Sequence, residues 1–501
     1  MRNTIKCFAH RAGRTLRPSS AARAASVVAA ILALTAAISL TIAAGARAQD
    51  SPDERRCTGQ WRATNDERVA ACTALIESGR YQPPNLAILH HDRAVALRAK
   101  GNVAGALADF AEAVKLNPDY ARAYIDRGNL RMTQHDIDGA IADFDNAIRI
   151  DPNDAGGFMT RANAFDEKGD FDHAIADYNE AIRVSPNYAA AYFNRGLAFR
   201  RKGDFDHAIT DYDQAIKLDP KSASALNNRG VVYFEKGDFD RAIADYNLAL
   251  RVDANFAAAF NNRGDAWRAK NDMPRALADF DRAIQLSPQF ALAYDNRGLV
   301  YYQKRDYDRA IGDFAAAIRF DPSNADAYSN RGNARDDKGD RDAAIADYNE
   351  AIRLDPKNAR FYYDRGIAYR RNGDLEHALS DLNEAIRLNP QHSGAYNERG
   401  YAYYQKHDFD RAIPDYDQAI KLNPKFAVAY NNRGNALDDK GEPDRAIALN
   451  ARSATTFSTR GLIRERLSDQ AGAVADFRKA LEIDPSFQQP AEGLQRLKAA
   501  R

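Results

Sequence analysis

Cysteine and tryptophan are nearly absent from this chain of 501 residues, with three of the one and two of the other. Cys7 precedes a long apolar run, which leaves Cys57 and Cys72 as the pair in the body of the chain. Their spacing matches neither the two-residue gap of redox motifs nor a zinc quartet, which argues against thiol redox or metal chemistry. No G-x-x-x-x-G-K-[ST] loop, G-x-S-x-G elbow, H-E-x-x-H helix or G-x-G-x-x-G turn occurs. An excess of one charge is missing too: 71 Lys and Arg face 70 Asp and Glu with the signs interspersed, so nothing points to nucleic acid. His90 and His91 are adjacent instead of one helical turn apart, which argues against a metal pair. The chain reads as non-enzymatic, with no cofactor, metal or small-molecule substrate.

The N-terminus reads as an address. Residues 1–48 carry seven Lys or Arg and no acid, so a chain of net +1 becomes one of net −6 without them. Within this leader, residues 24–45 are uncharged and apolar, and Ala46-Arg47-Ala48 offers the small residues of a signal-peptidase site before Gln49. The run is also long enough to cross a bilayer as a helix, so two outcomes stand: cleavage after Ala48, or an uncleaved inner-membrane tether through 24–45. Both put the body outside the cytoplasm: periplasmic or exported if the leader is cleaved, facing the periplasm if it is kept. That compartment favours oxidation, and Cys57 and Cys72 are expected to form a structural disulfide. It would staple a cap segment, residues 49–86, in which residues 66–78 form a helix and Pro83 and Pro84 separate the cap from the remainder of the chain.

What is abundant is repetition. Gly128, Gly196, Gly230, Gly264, Gly298, Gly332, Gly366, Gly400 and Gly434 fall on a 34-residue beat, with Ala162 filling the one gap, and Pro118, Pro152, Pro186 and Pro220 keep the same time. That is the period of a two-helix solenoid unit, which buries its apolar face only against its neighbours. In residues 189–222, Tyr192, Arg195, Gly196 and Phe199 recur on one face of a first helix (A). Gly203 supplies a left-handed exit and Asp204 caps a second helix (B), whose inner stripe is Ala208, Ile209, Tyr212, Ala215 and Ile216. Pro220 closes the unit because a proline lacks the donor a continuing helix needs.

These residues resemble the tetratricopeptide repeat family. An aromatic stands at repeat position 4 (Tyr124, Phe158, Tyr192, Tyr294), alanine at position 20 (Ala106, Ala140, Ala446, Ala473) and an aromatic at position 24 (Phe110, Tyr178, Tyr212, Phe477). The resemblance implies an all-α fold, an α-solenoid coiled as a right-handed superhelix. About twelve units occupy 87–487, with 427–453 truncated, and residues 488–501 form a C-terminal capping helix. Pro414 inside a helix and the shortened unit make residues 410–456 the expected bend or breakpoint.

Departures from the family pattern matter as much. Position 7, usually leucine, is arginine in every unit from Arg93 to Arg460, and position 23 is aspartate except at Leu449. A partly buried arginine needs a carboxylate, so the two are expected to pair within a unit or across the seam to the next, in preference to forming a basic stripe for acidic ligands. In related tetratricopeptide proteins, helix A positions 2, 5, 6, 9, 12 and 13 line a concave groove. Here position 6 carries Asn194, Asn228, Asn262, Asn296, Asn330 and Asn432, and position 5 adds Asn227, Asn261 and Asn431. An amide both donates and accepts, so these side chains match a peptide backbone of any sequence. Tyr302 and Tyr404 at position 12 are expected to anchor guest side chains. Charges at positions 12 and 13 alternate between units, as in Asp166-Glu167 and Arg200-Arg201, and either bridge neighbouring units or face a ligand. The function implied is a protein-protein interaction scaffold for extended segments of protein partners, in envelope assembly or secretion. The alternative is a structural spacer or self-associating array with no peptide ligand, and full closure of the position 12 and 13 charges would favour it.

Overall fold

Left-handed backbone recurs once in every repeat, and it sets the boundary between two helices. In the computed structural model, which describes residues 51–447 and 454–499, position 15 has positive φ in all twelve units. Seven of these residues are glycines such as Gly203 (φ 84°), and the others are His135, Asn271, Arg305, His407 and Ser468. Only glycine takes this conformation without a Cβ penalty, so five units tolerate a modest local strain to end helix A at the same place. The next residue caps helix B: the Asp204 carboxylate accepts from the His207 backbone N–H, and the Asp136, Asp238, Asp306 and Asp408 side chains do likewise in their units.

The described residues form two compact bodies, divided between residues 270 and 271. The first opens with helices Pro52–Cys57 and Asn65–Glu77, then A and B helices alternate from Pro83–Ala99 and Val103–Leu116 through Ala223–Glu235 and Phe239–Val252 to Ala257–Ala269. The second runs from Met273–Leu286 through further pairs to Ala454–Arg466, Gln470–Ile483 and the closing helix Gln488–Ala499. Among the described residues there is no strand, and the fold is an α-solenoid. Within each body, a B helix packs on the A helix of its own unit and on the A helix of the following unit.

Packing explains the recurrent spacing. The position 20 alanine is fully buried in all twelve units, and beside it the position 24 ring is buried at Phe110, Phe144, Tyr178, Tyr212, Tyr246, Phe314, Tyr348, Tyr416 and Phe477. At position 8 the backbone presses on that ring: a Cβ on Gly230 would lie 2.7 Å from the Tyr246 ring, closer than packed atoms approach.

The N-terminal cap differs in detail from expectation. Cys57 and Cys72 are disulfide-bonded, with both residues fully buried, and they join the helix Pro52–Cys57 to the helix Asn65–Glu77. Pro83 and Pro84 do not separate cap from array. They occupy the first turn of the helix Pro83–Ala99, where a missing N–H costs nothing, so the first A helix is extended toward the cap. Pro414 likewise leaves helix Phe409–Leu422 at the same 14 residues as its neighbours. Among the described residues, the B helix of the shortened unit is Pro443–Ile447. The expected leader, residues 1–48, lies outside the described residues, as does Leu449. Among the described residues no helix is long and apolar enough to cross a membrane.

Candidate functional site

The arginine at position 7 is a clamp. Arg229 donates from Nε and Nη2 to both oxygens of Asp245 at 2.8 and 2.7 Å, and the same fork joins Arg93 to Asp109, Arg161 to Asp177, Arg297 to Asp313, Arg365 to Asp381 and Arg460 to Asp476. The third nitrogen crosses the seam. Nη1 of Arg229 reaches Asp213 of the preceding unit, as Arg161 reaches Asp145, Arg195 reaches Asn179 and Arg399 reaches Asn383. One guanidinium thus ties two helices of its own unit and a third from the unit before. Hydrogen bonds to aspartate hold the Arg161, Arg229 and Arg297 pKa values above the ordinary arginine range. A basic stripe for acidic ligands is therefore not what these residues form. Arg433, whose position 23 partner is replaced by Leu449, keeps the seam contact to Asp417 and lies over the Tyr430 ring, while its buried Nε has no hydrogen-bond partner among the described residues.

The helix A face carries a second lattice, with a spacing of 35 residues. At positions 5 and 6, His91 Nε2 lies 3.0 Å from Asp126, Asn262 donates to Asn227 at 3.0 Å, Asn330 to Asp295 at 3.1 Å and Asn432 to Asn397 at 3.1 Å. At positions 12 and 13, Asp166 pairs with Arg201, Arg200 with Glu235 through two bonds of 2.9 and 2.7 Å, Tyr302 donates to Asp337 at 2.6 Å, Asp336 pairs with Arg371, and Tyr404 donates to Asp439. Each rung links one unit to the next. A signal for these rungs stood in the sequence as complementary residue types 35 apart, but a search within single units does not see it.

The rungs sort the candidate residues. Asn227, Asn261, Asn296 and Asn330 are buried, while Asn194, Asn228, Asn262, Asn431 and Asn432 are half-buried. Where position 5 is apolar the rung changes: behind Asn228 stands Phe193, and Asn228 donates to the Ser224 carbonyl of its own helix at 2.9 Å. Behind Asn194 stands Met159, and Asn194 donates to Asn163 at 3.0 Å. Asn163 also accepts the Tyr178 hydroxyl at 2.8 Å, and Asn333 accepts that of Tyr348 at 2.7 Å. Where position 9 is Leu197 or Tyr401 instead, the hydroxyls of Tyr212 and Tyr416 are buried with no partner. Asn431 accepts from Thr459, and burial pushes the Asp364 carboxyl up to about 6. Tyr302 and Tyr404 are half-buried with their hydroxyls on the wall's own aspartates.

Histidines at position 19 prove structural. His173, His207 and His377 stack on Phe165, Phe199 and Tyr369 at 5.0 to 5.1 Å, with Nδ1 2.7 Å from the capping aspartate of the same helix.

Family models described as TPR repeat match residues 162–203, 196–237 and 332–373. Models described as tetratricopeptide repeat match 91–155, 227–291, 265–331, 359–392, 393–426, 415–448 and 454–487. The chain belongs to the tetratricopeptide repeat family. Among solved structures, this tetratricopeptide repeat protein is similar to YrrB, described as a TPR protein with an unusual peptide-binding site, at 26% identity, 37% of this chain, 95% of that one and a TM-score of 0.32. It is similar to the APC/C hetero-tetramer Cut9-Hcn1 at 16% identity, 89% and 96% coverage and a TM-score of 0.44, and to yeast Tom70 at 18% identity, 76% and 95% coverage and a TM-score of 0.38. No curated protein matches. Proteins of this family are interaction scaffolds, and no enzymatic family is indicated.

Proposed function

We propose that the helix A faces bind extended segments of partner proteins, and that Asn194 and Asn228 in the first body and Asn432 in the second make the first contacts. The observation that carries this reading is how little of each amide the rungs use. Asn194 and Asn432 donate one hydrogen across the seam, and Asn228 donates one to its own helix. Each then keeps a second N–H and its carbonyl oxygen, the pair of groups an extended backbone offers in return. These three side chains are half-buried, so they are held in place yet reachable.

A second reading is favoured by the position 12 and 13 row. Its charges close on one another from unit to unit, which suits a spacer or a self-associating array with no guest. Capture of partners by wild type and by an Asn194→Ala, Asn228→Ala, Asn432→Ala variant separates the two. Loss of specific partners from a folded variant supports the groove, and unchanged capture supports the spacer. The basic leader, its uncharged run and the small residues at 46–48 support an exported protein, working in envelope assembly or secretion, with the leader cleaved after Ala48 or retained as a tether through 24–45. N-terminal sequencing of the protein taken from envelope fractions decides between them.

A further inference from the structure

Trp61 is the largest apolar side chain left in water in the N-terminal cap, at 43% exposure. The local chain holds it there. Its backbone N–H donates to the Arg55 carbonyl at 3.2 Å, folding the loop after the helix Pro52–Cys57 back over that helix. The guanidinium groups of Arg55 and Arg56 lie 5.5 and 5.9 Å from its ring centre, so the indole stands on the surface with cations around it.

Between residues 51 and 86 the cap contains as many acids as bases, but the acids near this loop are engaged elsewhere. Asp53 pairs with Arg56 at 3.2 Å, Glu54 accepts from Ser51 and from Tyr81, Asp66 pairs with Lys100, and Glu67 accepts from Thr64 at 2.8 Å. Among the described residues, Arg55 and Arg62 have no carboxylate partner. An exposed indole beside the uncompensated Arg55 guanidinium, with the exposed and uncompensated Arg62 next in the chain, is poorly suited to water and well suited to an interface that is apolar on one side and anionic on the other.

The chain places such an interface nearby. Residues 24–45, 22 in number, match the thickness of a hydrocarbon core as a helix, at about 1.5 Å per residue. Five residues, 46–50, then join that run to Ser51, the cap of the first described helix. Fully extended they span about 17 Å, so a retained run would hold the cap beside the bilayer surface.

We propose that Trp61, Arg55 and Arg62 form a membrane-contact patch by which the cap rests on an anionic bilayer surface. This rests on the tethered reading of residues 24–45. The indole inserts at the headgroup level, and the two guanidinium groups meet lipid phosphates. The patch fixes how the array leaves the membrane, which a five-residue link alone would not.

The two tryptophans allow a direct test. Full-length chain carrying Trp267→Phe has Trp61 as its one indole, and it is reconstituted into vesicles of phosphatidylcholine alone or with one-third phosphatidylglycerol. The expected result is a blue-shifted Trp61 emission, quenched by lipids brominated near the headgroup, and stronger in the anionic vesicles. Arg55→Gln and Arg62→Gln should each lower the contact equilibrium about fivefold in anionic vesicles. The converse chain, Trp61→Phe with Trp267 kept, should show neither shift nor quenching. A chain that floats with the vesicles while Trp61 keeps its aqueous emission overturns the patch and leaves the tether standing. A chain that does not float overturns the tether, and the patch with it.

Discussion

Deleting the Asp245 carboxylate should destabilise this protein more than deleting that carboxylate together with its arginine. Only 5% of the Asp245 side chain reaches solvent, and Arg229 grips both of its oxygens. Such a pair gains Coulomb energy in a medium of low polarity, but both ions have lost hydration, so replacing them together by apolar side chains is nearly neutral. Removing one partner is different, because the other then stays buried without compensation. Asp245→Ala is expected to cost about 3 kcal/mol, the lower end of the range for a broken buried pair. The lower end applies because Arg229 is 18% exposed and keeps Nη1 on Asp213. Arg229→Met with Asp245→Leu should fall within about 1 kcal/mol of wild type. Urea unfolding followed by far-ultraviolet circular dichroism compares both variants with wild type. Hydrogen exchange in helices Ala223–Glu235 and Phe239–Val252 locates the loss, since arrays unfold unit by unit. A double variant as unstable as Asp245→Ala alone would refute the clamp.

Tyr212→Phe should stabilise by about 1 kcal/mol, because it deletes a buried hydroxyl with no partner, whereas Tyr178→Phe should cost a similar amount by depriving Asn163 of a donor. Thermal melting of both variants checks the opposite signs. Gly230→Ala should cost about 1 to 3 kcal/mol, since its methyl group would meet the Tyr246 ring, and chemical denaturation reads that directly. Cys57→Ser with Cys72→Ser should release about 3 kcal/mol of chain entropy from the cap, seen as early proteolytic cleavage before residue 83. His91 supplies a pH dependence. Burial disfavours its charged form, but hydrogen bonds to Asp126 and Asp92 outweigh that and hold its pKa above the ordinary histidine value. Its stabilising contribution should therefore be complete below the unfolded histidine pKa and be lost as pH rises through the folded one. A His91→Gln chain should lack that loss in hydrogen exchange of helix Pro83–Ala99.

The fold was legible because one period repeats. Gly203, Asp204 and Ala208 fix a turn, a cap and a helix contact within six residues; the alanine recurs in every unit and the other two signals in most of them. The six-residue helix Pro52–Cys57 went unread, since so short a segment carries no periodicity. Pro83 and Pro84 misled for a physical reason: the same residue type ends one helix and opens another, and only the neighbouring chain decides which. At the candidate site, the position 7 and 23 pairing followed from the cost of a buried charge. The reach of Arg229 to Asp213 did not, because it depends on how far the preceding unit turns. The asparagines of positions 5 and 6 announced polarity but not their partners. Each rung is made with a residue 35 away, and no local pattern reports it.

The rungs also bear on how such a chain can change. Near-identical units invite unequal recombination, which adds or removes whole copies. A copy of residues 189–222 inserted after itself would set Arg200 against a second arginine where Glu235 now stands. Adjacent like charges on that face repel, so the duplicated array is penalised even though each copy folds normally. The order of the units is thus written in side-chain chemistry, and a length that looks arbitrary from the period is protected against drift.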